Sequence, residues 1–131
     1  MRLKLILSLL ALILLSCDAM TSFEPPTPKS AAAPAPPIII TSPSEGDSFN
    51  EGQYIYIYWS SSEDVSEYVY IELFYNDIFL VVLDQNEYND GSKSLTLPSG
   101  SSYDNGYGYS IKIVDSLNAS NYGFSGYFYI L

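Results

Sequence analysis

The chain has 131 residues, 47% of them hydrophobic and 15% aromatic, with 5 basic side chains against 15 acidic ones, no histidine and 1 cysteine. A formal charge of −10 repels phosphate backbones and no basic stripe offsets it, so nucleic acid is excluded as a partner. The missing histidine and the single cysteine remove the commonest general base, the usual zinc ligand and any intramolecular disulfide.

The first element in chain order is an export signal, "MRLKLILSLLALILLSC", residues 1–17. Arg2 and Lys4 make a basic start, residues 5–15 an apolar run broken only by Ser8, and Ser16 a small residue at its end. A membrane-spanning helix needs about 20 apolar residues, and Asp18 stops this run early. The stretch Leu14-Leu15-Ser16-Cys17 resembles the lipobox of bacterial lipoproteins, which implies lipid attachment at Cys17. Such a protein is extracytoplasmic and sits on a bacterial membrane without crossing it; the inner and the outer bilayer are both compatible with the sequence. Loss of Arg2 and Lys4 with the signal leaves three lysines against 15 acids.

Residues 18–37 concentrate Pro25, Pro26, Pro28, Pro34, Pro36 and Pro37 among alanine, serine and threonine. That composition buries little and favours extended polyproline-type backbone, so it reads as a linker. The remainder, residues 38–131, is enough for one small domain.

That domain is expected to be all-β. Runs rich in Ile, Val, Tyr and Phe cover 38–41, 53–59, 68–75, 78–84, 92–97, 107–114 and 125–130, separated by clusters of Ser, Asn, Asp and Gly. About seven such strands predict an antiparallel sandwich of the immunoglobulin-like or fibronectin-like kind. Asn76-Asp77 marks a tight hairpin, and Asn89-Asp90-Gly91 and Asp104-Asn105-Gly106 mark further turns. Alternation places Ile55, Ile57, Trp59, Val69, Ile71, Leu73, Leu80, Val82, Leu95, Leu97, Tyr109, Ile111, Ile113, Phe128 and Ile130 inward. It places Tyr54, Tyr56, Tyr58, Tyr68, Tyr70, Glu72, Ser94, Thr96, Ser110, Lys112, Tyr127 and Tyr129 outward. Tyr109, just after the third turn, matches the tyrosine whose hydroxyl bonds back to the chain at a corner of immunoglobulin-like folds.

The segments "ITSPSEGDSFNEGQYIYIYW", "YVYIELFYND", "GSKSLTLP", "GYGYSIKIVDS" and "SGYFYI" together resemble the small immunoglobulin-like domain of the yeast cell wall synthesis family, also called the Ser-Thr-rich GPI-anchored membrane family. The matching positions are Pro43, Gly46, Ile57 and Trp59, then Leu97 and Pro98, then Tyr109, Ile111 and Ile113, and finally Ser125, Gly126, Phe128 and Ile130. Leu95 stands where that family usually has an aromatic residue. These are packing and turn positions, so the resemblance implies a fold and a place in a cell wall or envelope more than an activity.

No catalytic constellation is present, and no cofactor is called for. The acids fall in loops or on outer faces of a domain too small for a deep cleft, so no enzyme is expected. The stretch from Asp84 to Gly91 departs from the EF-hand spacing at its glycine and at Leu95, where the bidentate glutamate would stand. No metal site is assigned; loop oxygens of Asp84, Glu87, Asp90 or Asp104 are the alternative for calcium. The candidate ligand-binding residues are the outward tyrosines. Tyr54, Tyr56 and Tyr58 form one stripe, with Tyr68, Tyr70, Tyr127 and Tyr129 as a second face suited to a polysaccharide or an envelope protein. The competing account is that tyrosine is a strong strand former and only stiffens the sheet. A second class of function is a structural subunit that pairs through a sheet edge.

Overall fold

The computed structural model describes residues 32–100 and 103–131. The signal segment with Cys17, and the linker through residue 31, lie outside the described residues.

Alternation of β-branched and aromatic residues with polar ones dictates strands, and nine form among the described residues: β1 Ile38–Ser42, β2 Ser48–Phe49, β3 Tyr54–Ser61, β4 Tyr68–Tyr75, β5 Ile78–Tyr88, β6 Ser92–Thr96, β7 Gly106–Asp115, β8 Tyr122–Phe124 and β9 Phe128–Ile130. They make two sheets, a small one in the order β1-β3-β6 and a larger one in the order β2-β9-β7-β4-β5, with β8 also on β7. All pairings are antiparallel except β2 with β9. The inner faces meet in one core: Ile55, Ile57 and Trp59 from the small sheet, and Val69, Ile71, Leu73, Tyr109, Ile111, Ile113, Phe128 and Ile130 from the large one. The protein is therefore an all-β sandwich with immunoglobulin-like strand order.

The corners are built by identifiable chemistry. Asn76 and Asp77 both take left-handed backbone (φ 47° and 64°), as a two-residue turn between β4 and β5 requires. The buried Tyr109 hydroxyl donates to the Asp104 carbonyl at 2.5 Å, the expected corner bond. Trp59 buries its indole and donates from Nε1 to Asn89 Oδ1 at 2.8 Å; Asn89 in turn donates to the Ser66 carbonyl. On one open side of the sandwich β8 backs onto β1 so closely that a methyl on Gly123 would lie 2.2 Å from the Ile38 carbonyl oxygen.

Four sequence expectations need correction. The count among the described residues is nine strands, because β2, two residues long, and β8, three, are too short to leave a pattern. The last run, 125–130, forms a strand only over its second half: β9 begins at Phe128, and residues 125–127 lie between it and β8. There the Ser125 hydroxyl, instead of a backbone carbonyl, takes the Ile111 N–H at 2.9 Å. In β5 the inward residues are Val81 and Leu83, not Leu80 and Val82. Six consecutive apolar residues, Ile78 to Leu83, offer no polar marker of register, and bulges in the β4–β5 pairing reset it. Ser110 points out of the sheet as expected but is buried, because Ser125, Tyr127 and Phe124 gather over it.

Candidate functional site

Three successive outward positions of β3 carry tyrosines, and each is open to solvent: Tyr54 is 56% exposed, Tyr56 58% and Tyr58 47%. β3 is the central strand, so the stripe runs down the middle of a face and not along its rim. Tyr54 meets Tyr56 edge-on at 5.8 Å, and Tyr56 stacks nearly parallel to Tyr58 at 6.4 Å and 7°. Such pairs fix the ring planes, which lowers the entropy lost when something is laid across them.

The neighbours of the stripe are hydroxyls. Register on β6 sets Thr96 opposite Tyr54, Ser94 opposite Tyr56 and Ser92 opposite Tyr58, while Ser42 of β1 stands beside Tyr58. Tyr54 donates its hydroxyl to Ser94 Oγ at 2.8 Å. Two shallow depressions flank the rings. One, of about 380 Å³, lies between Tyr56, Tyr58, Ser92, Ser94 and the Lys93–Glu87 ion pair; the other, of about 490 Å³, involves Ser42, Asp47, Phe49, Gln53 and the tyrosines. Aromatic faces lined by small hydroxyls can stack on the C–H face of a ring and exchange hydrogen bonds with groups at its edge.

Lys93 itself belongs to the edge of the small sheet and reaches Asp84, at 2.8 Å, and Glu87 on the edge of the large one. The hydrogen bonds it donates to these carboxylates hold its ammonium well above the usual lysine range, and the bond to Asp84 holds that carboxyl below the ordinary carboxylate range. The loop oxygens considered for calcium are thus divided: Asp84 and Glu87 are engaged by a lysine, and among the described residues no group of three acids is placed to hold a metal ion.

The second set of tyrosines does not form one surface. Tyr68 and Tyr70 lie on β4, with Tyr68 against Tyr88 and Tyr70 level with Val114 near the end of β7. Tyr129 pairs with Tyr107 at the beginning of β7, about 23 Å away along the strand. Tyr127 is not on a strand; it sits in the 125–127 break, half-buried, with its hydroxyl donating to Asp77 at 2.6 Å, a bond that raises its pKa. Between these groups the outer face of the large sheet carries a cluster the sequence reading did not assemble: Phe74 against Phe79 and Phe124, Tyr122 against Phe124, and Lys112 Nζ lying 4.8 Å over the Tyr122 ring. Its members come from four strands, so no local spacing announces them.

At the far end of β7, Asp115 is buried. Burial alone would raise its pKa, but hydrogen bonds from Ser66, the Leu117 N–H and Asn121 outweigh that and bring it down to about 2. This carboxylate ties the β3–β4 loop to the loop after β7 and is structural.

No family model matches the chain, and no curated protein matches it. Among solved structures it is similar to the fibronectin(III)-like modules of Clostridium thermocellum CbhA, with 18% sequence identity and a TM-score of 0.42 over 72% of this chain. The match spans 45% of the length of that solved chain.

Proposed function

We propose that this protein is a non-enzymatic binding module of a bacterial cell envelope, exported, anchored through a lipid on Cys17, and displaying the Tyr54–Tyr56–Tyr58 stripe to a polysaccharide or a surface protein. The observation that carries the reading is the stripe itself: three oriented rings in the middle of an open sheet face, bordered by Ser42, Ser92, Ser94 and Thr96. Each ring can bury about 150–250 Å², so the three approach the patch size that marks an interaction surface. The acidic composition favours neutral polymers over anionic ones. The signal and lipobox of residues 1–17 and the resemblance to the cell wall synthesis family support the location. The test is a pull-down of the full chain on insoluble β-glucan, chitin and peptidoglycan sacculi, beside a Tyr54→Ser, Tyr56→Ser, Tyr58→Ser variant shown by circular dichroism to be folded. Binding that only the variant loses supports the reading; no binding by either protein removes it for these polymers.

One observation favours a second reading, an assembly subunit that pairs through a sheet edge. β5 is an 11-residue edge strand of the large sheet, and its first half, Ile78 to Leu83, is wholly apolar with Ile78, Phe79 and Leu80 exposed. Co-purification with an envelope protein that survives the tyrosine changes and is lost on placing lysine at Phe79 would favour it.

A further inference from the structure

The break at 125–127 leaves two adjoining hollows, one on each side of the bond between Tyr127 and Asp77. One, of about 250 Å³, is lined by Asn76, Asp77, Tyr107, Gly108 and Tyr127; the other, of about 230 Å³, by Asp77, Ser110, Phe124, Ser125 and Tyr127. Ser110 is 1% exposed, and its Oγ, on the wall of the second hollow, has no hydrogen-bond partner. A buried hydroxyl without a partner is rare in folded proteins and asks what it was left for.

We propose that this second hollow binds an organic ammonium group, with Asp77 as counter-ion, Ser110 as a hydrogen-bond acceptor, and Phe124 and Tyr127 as aromatic walls. The donor and acceptor inventory decides between ligand classes. The Tyr127 hydroxyl is spent on Asp77 Oδ1, and the Ser125 hydroxyl donates to the Gly126 carbonyl. What remains on the lining is Asp77, whose second oxygen accepts no hydrogen bond among the described residues, and the Ser110 hydroxyl. A sugar needs donors as well as acceptors and finds only one free donor here; an ammonium brings its own donors or charge and needs acceptors and ring faces.

Charge points the same way. Glu45 stands next to the site, accepting from the Tyr107 hydroxyl and, at 2.8 Å, from the Tyr127 N–H. The two described lysines are paired elsewhere, Lys93 with Asp84 and Glu87 and Lys112 with Glu72, so Asp77 and Glu45 have no cationic partner among the described residues. Hydrogen bonds from the tyrosine hydroxyls to these carboxylates also push electron density into the rings, which strengthens their attraction for a cation.

The test uses the full chain and four probes followed by two-dimensional NMR: choline, its uncharged isostere 3,3-dimethylbutanol, N-acetyl-lysine amide and methyl glucoside. Choline or the lysine amide is expected to shift resonances of Ser110, Phe124 and Tyr127. Asp77→Asn should weaken binding of either probe about tenfold or more, and Ser110→Ala binding of the lysine amide severalfold, because only that ammonium carries N–H donors for the Ser110 hydroxyl to accept. Asparagine tolerates the left-handed turn at position 77, so that variant keeps the hairpin. A preference for choline identifies a quaternary headgroup or metabolite as the source, and a preference for the lysine amide a protein side chain; either supports the site. Equal binding of dimethylbutanol, binding that Asp77→Asn leaves intact, shifts produced by methyl glucoside in place of the ammonium probes, or no shift with any probe would each overturn it.

Discussion

The outer face of the small sheet and the outer face of the large one come from the same kind of sequence, yet only the first follows it residue by residue. On β3 the outward set Tyr54, Tyr56, Tyr58 is exposed and the inward set Ile55, Ile57, Trp59 is buried, with no exception. On the large sheet Ser110 points outward and is buried, Leu80 reads as inward and is exposed, and Tyr127 leaves its strand altogether. Alternation states which way a side chain points; what lies over it is decided by segments far away in the chain. Among the described residues nothing lies over the outer face of the small sheet, and so that face is legible.

That contrast can be broken or sharpened by substitution. The largest effect is expected for Gly123→Ala, which drives a methyl into the Ile38 backbone and should cost about 3 kcal/mol or more in chemical denaturation, because neither strand can move without losing its pairing. Next comes the register of β5: Leu83→Ala should cost about 2 kcal/mol and Leu80→Ala less than about 1 kcal/mol, and the reverse order would restore the alternating assignment. Asp115 should contribute about 2 kcal/mol above its unfolded pKa near 3.8. Because its folded value is depressed, that stability is lost as pH falls from there through about 2, and an Asp115→Asn variant should show a flatter acid limb in thermal melts. The smallest effect belongs to Tyr54→Phe, which removes one exposed bond to Ser94 and should change stability by less than about 0.5 kcal/mol.

Much of the fold could be read in advance because local signals agreed. The β4 boundaries, the Asn76-Asp77 hairpin and the Tyr109 corner bond each depend on a few adjacent residues, and each appears where expected. The stripe was equally visible, but its border was not: Ser92, Ser94 and Thr96 meet it through pairing across some 40 positions of sequence. The hollow at Tyr127 was hidden for a different reason. "SGYFYI" alternates well enough to pass for one strand, and only the bond from Ser125 Oγ to Ile111, together with the approach of Gly126 to the Glu45 backbone, interrupts it. The Ser-Gly pair is the one signal that could have raised the question.

The two open sides of the sandwich are closed by unlike means. At Gly123 backbone touches backbone, and no solvent condition loosens that contact short of unfolding. Opposite, the edges of β5 and β6 are joined by Lys93 with Asp84 and Glu87, a clasp of charges that salt weakens. Thermal breathing therefore has a direction: the sheets part like a book whose spine is β1 and β8, and the pages that separate first belong to β5. Amide exchange in β5 and β6 should accelerate with ionic strength while β1 and β8 stay protected. A transient opening on that side bares Val81 and Leu83 beside an edge that is already apolar, so the molecule's exposure to self-association would be governed by a single lysine.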